Sequence, residues 1–141
     1  MTAAPRVTLT AQPSYPAGAP VPVKVVLTNA STERMLLNSR LLLSFAAGEG
    51  DLAFDIEGAG GQGYEYGAFV TIGELQDRDF TVLPPGGSLE REVDLAADYS
   101  LMAPGSYRAA VIYRNARDWS RAGTTAWTGE VRSEPVTIEL S

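Results

Sequence analysis

Hydrophobic residues recur at every second position along most of the chain, and this period predicts β-strands rather than helices. In the clearest run, 21–28, a valine or leucine stands at each odd position. The same alternation marks residues 7–11, 52–57, 89–95, 107–113 and 131–140, and short apolar runs at 69–72 and 80–83 are further strand candidates. Gly- and Pro-rich segments, such as Pro-Pro-Gly-Gly at 84–87, separate these runs as turns.

Residues 34–45 (RMLLNSRLLLSF) fit two interpretations. Leucine favours a helix, and Ser31 or Thr32 would cap one. Asn38 and Ser39 in the middle of the segment favour two short strands instead. Because the flanking segments are strands, we expect two strands here.

The pattern as a whole predicts one all-β domain spanning residues 1–141. About eight short strands between Gly/Pro turns are typical of an antiparallel, immunoglobulin-like β-sandwich of seven to nine strands. A single helical turn is expected at 96–102, and Pro135 should bend the last strand or place it at an edge. Trp127 is expected in the core, and Tyr107 should tie the preceding Pro-Gly turn to the sheet, as a tyrosine corner does.

The amino-acid composition excludes most of the common types of catalytic site. The chain contains no Cys, no His and one Lys, which leaves no thiolate, imidazole or usual catalytic triad. A Ser–Lys dyad would need Lys24, and no Ser-x-x-Lys pattern precedes it. We therefore expect no enzymatic activity, no cofactor and no metal ion.

Charge and hydropathy limit the partners further. Eleven basic and seventeen acidic residues give a net charge of −6, which disfavours nucleic acid and anionic membranes. No apolar run approaches the roughly 18 residues that a membrane helix needs, so no membrane insertion is expected. The first residues lack the charged and apolar regions of a signal peptide, which leaves the compartment open and favours the cytoplasm.

Asp51, Asp55 and Glu57 stand at alternate positions of a predicted strand. Calcium sites need several converging oxygens, often from a D-x-D-x-D-G loop, and the sequence contains no such loop. We therefore expect the three carboxylates to point outward together, as a solvated face.

Two aromatic segments are the candidate contact sites. The first is the Gly-rich stretch 58–67 (GAGGQGYEYG), expected to be an exposed loop, with Tyr64 and Tyr66 in it and Phe69 beyond. Tyrosine on a Gly-rich loop is typical of binding surfaces, because the ring gives a large contact area at little entropic cost. The alternative is that one of these rings folds back over the end of the sandwich.

The second candidate is the segment 114–126 (RNARDWSRAGTTA). Three arginines surround Trp119, opposed by Asp118 alone, and Arg and Trp are enriched at binding hot spots. The arginines are Arg114, Arg117 and Arg121. The alternative is an exposed hairpin tip in which Trp119 lies over the sheet and the arginine stems cover apolar surface.

Three stretches carry a resemblance to known proteins. They are VPVKVVLTNAST, FTVLPPGGSLEREVDLAADYSLMAPGSYRAAVIYRN and AWTGEVRSEPVTIEL, which together extend over most of residues 21–140. The chain resembles bacterial immunoglobulin-like or fibronectin-like β-sandwich domains and, less closely, the bacterial intracellular proteinase inhibitor family. This resemblance implies a small β-sandwich with a non-enzymatic binding role, and it transfers no inhibitory residue to a position here.

The sequence therefore predicts a non-enzymatic protein-interaction module, with proteinase inhibition as one form of it. The alternatives are a carbohydrate-binding module that uses Trp119, Tyr64 and Tyr66, and a structural subunit that pairs through its sheet edges. A shared contact surface would require the loops at 58–69 and 114–121 to lie at the same end of the sandwich.

Overall fold

The computed structural model describes residues 3–43, 51–64, 66–67, 74–121 and 123–141. Those residues form an all-β fold with several antiparallel sheets and one short α-helix. The strands are β1 (Arg6–Thr10), β2 (Ser14–Tyr15), β3 (Pro22–Thr28), β4 (Met35–Asn38), β5 (Leu52–Gly58), β6 (Gly63–Tyr64), β7 (Phe80–Leu83), β8 (Ser88–Asp94), β9 (Gly105–Asn115), β10 (Ser120–Arg121), β11 (Thr124–Thr125), β12 (Gly129–Arg132) and β13 (Val136–Leu140). The helix is α1 (Leu95–Tyr99), and a 3-10 turn spans Asp77–Asp79. Within the described ranges no helix is long and apolar enough to cross a membrane.

The smaller of the two main sheets has the order β1-β3-β8 and is antiparallel throughout. Its central strand β3 places Val25 opposite Leu9 on one side and Arg91 on the other. The helix α1 follows β8 directly, and the Asp94 carboxylate caps it by accepting from the amide of Ala96 at 3.0 Å. This is why the predicted helical turn forms at this point.

The larger sheet has the order β2-β13-β9-β5-β6, and β12 also pairs with β9. Both β12 and β13 pair with β9, β12 along 112–115 and β13 along 105–109. Between β12 and β13, the side chain of Ser133 takes the place of a backbone partner: its hydroxyl accepts a hydrogen bond from the amide of Val111 at 2.9 Å. Its own amide donates to the Val111 carbonyl at 2.9 Å. All pairs in this sheet are antiparallel except β2 with β13.

One buried cluster lies between the inward faces of the two main sheets, a β-sandwich-like arrangement. The smaller sheet contributes Val7, Leu9, Val23, Val25, Leu27 and Val93, and the larger sheet contributes Leu52, Phe54, Ile56, Tyr107, Ala109, Val111, Tyr113, Ile138 and Leu140. Trp127 belongs to the same cluster, where its ring stacks on Tyr113 at 5.9 Å, so its predicted core position is confirmed.

A second, smaller cluster lies beside the first. Its buried members are Leu36, Phe80 and Ala126. The two-stranded sheet β4–β7 supplies two of them, and the hairpin β10–β11 leads into the third. All four residues of β4 are buried, which follows from its position between the two clusters.

The predicted strands at 7–11, 21–28, 80–83, 89–95 and 107–113 are confirmed. The described part of the ambiguous segment, residues 34–43, contains one strand, Met35–Asn38, and Leu43 forms a bridge to Leu52. The single strand expected at 131–140 is instead two strands, because the chain leaves the ladder between Ser133 and Pro135. The candidate strand 69–72 lies outside the described residues.

The expectation that Asp51 points outward is wrong. Asp51 is buried, 4% exposed, and receives hydrogen bonds from Arg40, Asn38 and the amide of Leu42. The physical reason is that β5 begins only at Leu52, so the alternation of the strand does not include Asp51. The other two carboxylates of that face are exposed, as predicted.

Candidate partner-contact surfaces

The Gly-rich stretch forms a tight hairpin turn between β5 and β6 rather than one long loop. The amide of Gly58 donates to the Gln62 carbonyl at 2.9 Å, and the amide of Gly61 donates to the Gly58 carbonyl at 3.0 Å. Gly61 has a φ of +84°, a conformation that L side chains rarely adopt. The glycines therefore serve the turn, and residues 59–63 within it are exposed, as predicted.

The two described tyrosines of this stretch rest on inner aromatic rings. The Tyr64 ring lies 5.5 Å from Tyr107, edge to face, and the Tyr66 ring lies 5.8 Å from Tyr99. Both outer rings are half-buried and pack against the main core. We call these four residues the tyrosine cluster. Phe69, the third residue predicted here, lies outside the described residues.

The inner tyrosines are fixed by hydrogen bonds. The Tyr107 hydroxyl donates to the carbonyl of Ala103 at 2.6 Å, which is the turn-to-sheet contact expected of it. The Tyr99 hydroxyl accepts from the amide of Phe54 at 3.2 Å. Burial raises the pKa of Tyr99 to about 12, and burial together with the adjacent Tyr64 raises the pKa of Tyr107. Both hydroxyls are therefore neutral near pH 7, and both rings are held in place.

Met102 lies next to the tyrosine cluster, and sequence reasoning missed it. It is 52% exposed, the one large hydrophobic side chain exposed to that degree among the described residues. Its neighbours fix its position, because Leu101 is fully buried and the Ala103 carbonyl binds Tyr107. A signal was present, since the Met precedes a Pro-Gly turn where no core position is required.

The second candidate segment folds back on the chain through Trp119. The indole stacks on Phe80 with ring centroids 5.2 Å apart and planes 10° apart, and its Nε1 donates to Asp77 Oδ1 at 2.6 Å. Arg121 donates to the carbonyls of Asp77 and Phe80 at 2.8 and 2.7 Å. We call residues 119–121 and 123–125 the Trp119 hairpin. It covers the smaller core cluster, in agreement with the alternative that Trp119 lies over a sheet.

The other two arginines of this segment differ from each other. Arg114 forms an ion pair with Glu130 on the neighbouring strand β12, at 3.1 Å. Arg117 is exposed, and within the part of the chain that the structure describes its guanidinium has no hydrogen-bond or ion-pair partner. Its backbone carbonyl accepts from Asn115 Nδ2 at 2.9 Å, which fixes the segment. Of the predicted positive patch, Arg117 alone has a guanidinium without a partner.

The predicted residues do not form one surface. Tyr64 pairs with Ile56, which in turn pairs with Ala109 near the start of β9. Arg114 lies five residues further along β9, about 17 Å at the rise of an antiparallel strand. The Trp119 hairpin follows beyond that point. The structure therefore contains two separate candidate surfaces, the tyrosine cluster with Met102 and the Trp119 hairpin.

The side chains at these two surfaces can form non-covalent contacts with a partner. Among the described residues there is no group of three or more Asp, Glu, His or Cys side chains that could hold a metal ion. The tyrosine cluster offers ring faces and hydroxyls, and Met102 beside it offers a thioether. Arg117, which precedes the Trp119 hairpin, offers an exposed guanidinium. No protein-family model matches the chain, and no curated protein shows significant similarity to it in sequence.

Proposed function

We propose that this chain is a non-enzymatic protein-interaction module with an immunoglobulin-like sandwich, and that its contact surface is the tyrosine cluster together with Met102. The observation that carries the proposal is the placement of half-buried Tyr64 and Tyr66 against fixed inner tyrosines, beside an exposed methionine. Tyr and Met are enriched in the cores of protein interfaces.

The rigidity of these rings supports binding. A side chain that is mobile before binding loses rotamer freedom on binding, at about 0.5–1.5 kcal/mol for each immobilised side chain. Tyr64 and Tyr66 are already packed, so less of that entropy remains to be lost. The exposed thioether of Met102 can adapt its three rotatable bonds to a partner surface.

The Trp119 hairpin is less suited to be the main contact surface. One face of the indole is covered by Phe80, and both the indole N–H and the Arg121 guanidinium bond within the chain. For the same reason a sugar platform that combines Trp119 with the tyrosines is disfavoured, since the two groups are separated along β9.

Strand addition is also disfavoured at three edge strands of the main sheets, β2, β6 and β8. The edge strands β2 and β6 are two residues long. The edge strand β8 carries Glu90, Arg91 and Glu92 in succession, and charged residues discourage edge-to-edge pairing. The resemblance to the proteinase inhibitor family makes a proteinase one partner class for the proposed module.

The proposal is tested by affinity capture with three forms of the protein. We expect the wild type and Arg117→Glu to retain the same partner, and Met102→Glu to lose it, because the new charge would be placed in the apolar contact. Both changed side chains are exposed, so all three forms should show the same Tm. Equal capture by wild type and Met102→Glu, or loss with Arg117→Glu alone, would place the contact elsewhere and contradict the proposal.

A further inference from the structure

The outer face of the larger sheet contains a groove of about 320 Å³. It lies on the side of β9 that faces away from the core. Its lining consists of Asp55, Glu57, Arg108, Ala109, Ala110, Arg132 and Pro135. The tyrosine cluster packs on the opposite, inward side, so the groove is distinct from the proposed contact surface.

The break between β12 and β13 accounts for the groove. Ala110 of β9 stands between the part of β9 that pairs with β12 and the part that pairs with β13. On this side Ala110 therefore has no paired residue whose outward side chain could fill the groove. Ala110 itself is small, and it is only 1% exposed. The ion pair of Asp55 with Arg132 links β5 to β12 across the intervening β9 and helps to cover it.

Charged side chains of both signs line the groove, and two of them, Asp55 and Arg132, already form an ion pair with each other. Asp55 and Glu57, two residues apart on β5, form an acidic side, whereas Arg108 and Arg132 form a basic side on β9 and β12. Glu57 and Arg108 are paired in register, yet among the described residues neither forms an ion pair. The Glu57 carboxylate lies toward the hairpin turn, with Oε1 4.0 Å from an ideal Cβ position at Gly61.

We propose that this groove binds a small zwitterion of the amino-acid or dipeptide class. The ammonium group lies against Glu57 and the carboxylate lies against Arg108, the two lining charges that form no ion pair among the described residues. Arginine binds carboxylates with charge-assisted and often bidentate hydrogen bonds, which fixes the orientation of the ligand. The volume is at the lower end of the range for small-molecule sites, about 300–1,000 Å³, so a compact ligand is selected.

The test is an NMR titration of the full chain with glycylglycine at low ionic strength, where exposed charges are least screened. We expect saturable shifts at the amides of Ala109 and Ala110. N-acetylglycine lacks the ammonium group and glycinamide lacks the carboxylate, so each should bind about threefold more weakly or worse, the effect of losing an exposed ion pair.

Two variants test the two sides of the groove separately. Arg108→Gln and Glu57→Gln should each weaken glycylglycine binding about threefold, and Arg117→Gln, far from the groove, should leave it unchanged. Absence of saturable shifts would overturn the proposal. Equal binding of N-acetylglycine and glycylglycine, or unchanged binding in both groove variants, would also overturn it, because the site would then not recognise a zwitterion.

Discussion

The buried Asp51 carboxylate accepts hydrogen bonds from three residues. Arg40 Nε donates to Oδ2 at 2.8 Å and a terminal Arg40 nitrogen donates to Oδ1 at 2.9 Å, a bidentate ion pair. Asn38 and the Leu42 amide complete the shell at 2.8 and 3.0 Å. The hydrogen bond with Asp51 raises the pKa of Arg40. This group joins the segment after β4 to the start of β5.

We expect Asp51→Asn to lower the free energy of unfolding by about 3 kcal/mol, because it removes the charge of the carboxylate that accepts two hydrogen bonds from a largely buried guanidinium. Chemical denaturation measures the change. Asp118→Asn, at an exposed position, is the matched control and should change stability by less than about 0.5 kcal/mol. Equal losses in the two variants would show that the Arg40–Asp51 pair does not stabilise the fold.

The buried tyrosines predict a loss of stability at alkaline pH. In the unfolded chain tyrosine ionises near pH 10, whereas folded Tyr99 stays neutral up to a pKa of about 12. Its contribution is complete below about pH 10 and is lost as pH rises through 12, with a limiting slope of about 1.4 kcal/mol per pH unit. Denaturation at several alkaline pH values should show this fall, and Tyr99→Phe should show a smaller one. Equal falls in both proteins would contradict the assignment to Tyr99.

At the residue scale the sequence predicts inward aromatic residues better than polar ones. The core positions of Trp127 and Tyr107 could be predicted, because a large aromatic ring at an inward strand position is buried in the core. Asp51 was not, because its burial depends on Arg40, and nothing in the strand pattern reveals a partner eleven residues away. Met102 was missed because a single exposed apolar residue leaves no periodic signal.

At the scale of elements, the Trp119 hairpin acts as a cover for the smaller core cluster. Its strands β10 and β11 have two residues each, too few to be stable alone. The stacking of Trp119 on Phe80 and the two Arg121 hydrogen bonds therefore supply the stabilisation that the short ladder lacks. The element is fixed by tertiary contacts rather than by its own pairing.

We expect Trp119→Ala to lower the free energy of unfolding by about 2 kcal/mol, less than the 3–5 kcal/mol typical of a fully buried ring, because the indole is half-buried. Asp77→Asn should weaken only the indole hydrogen bond, by about 1 kcal/mol. Chemical denaturation of both variants, with Arg117→Ala as control, measures these effects. A Trp119→Ala protein as stable as the control would show that the hairpin does not cover the cluster.

The sequence predicts elements well where the period of two is uninterrupted. Pro135 indicates a bend or an edge in 131–140, but the sequence does not predict two separate strands there, because each part keeps its alternation and the break depends on Ser133 binding Val111. In 34–45 the polar pair Asn38 and Ser39 correctly favoured strand over helix, and Asn38 ends β4. Within the residues that the structure describes, the second expected strand is represented only by a bridge at Leu43.

At the scale of the whole molecule, the tyrosine cluster includes Tyr107 near the start of β9, whereas the Trp119 hairpin follows the end of that strand. Tyr66 contacts Tyr99, and Trp119 contacts Phe80, with no ring in common. Side chains that are far apart and share no partners usually contribute to stability independently. The two surfaces can therefore change without affecting each other.

A double-mutant cycle tests this separation. We expect the destabilisations of Tyr66→Ala and Trp119→Ala to add to within about 0.5 kcal/mol in the double variant. Denaturant unfolding of the four proteins gives the coupling energy. A value of about 1 kcal/mol or more would show that the tyrosine cluster and the Trp119 hairpin are energetically connected.

The fold class follows from the sequence, but the order of the strands in the sheets does not. Alternation shows that a segment is a strand and which of its side chains point inward. It does not show which other strand pairs with it, because the pattern is compatible with every possible neighbour. The central position of β9 depends on pairing with β5, β12 and β13, which are distant in the chain or separated by a hairpin. For the same reason the sequence left open whether its two contact loops share one end.

The central position of β9 also affects how the chain matures on the ribosome. Strand β5 emerges well before β9, its main partner in the larger sheet, and translation proceeds at about 5–20 residues per second. For several seconds the nascent chain therefore contains β5 without its partner β9. During that time the apolar side chains of Leu52, Phe54 and Ile56 lack the cover of the complete sheet. During synthesis this strand therefore exposes apolar side chains that a chaperone could protect, although the same side chains are buried in the finished molecule.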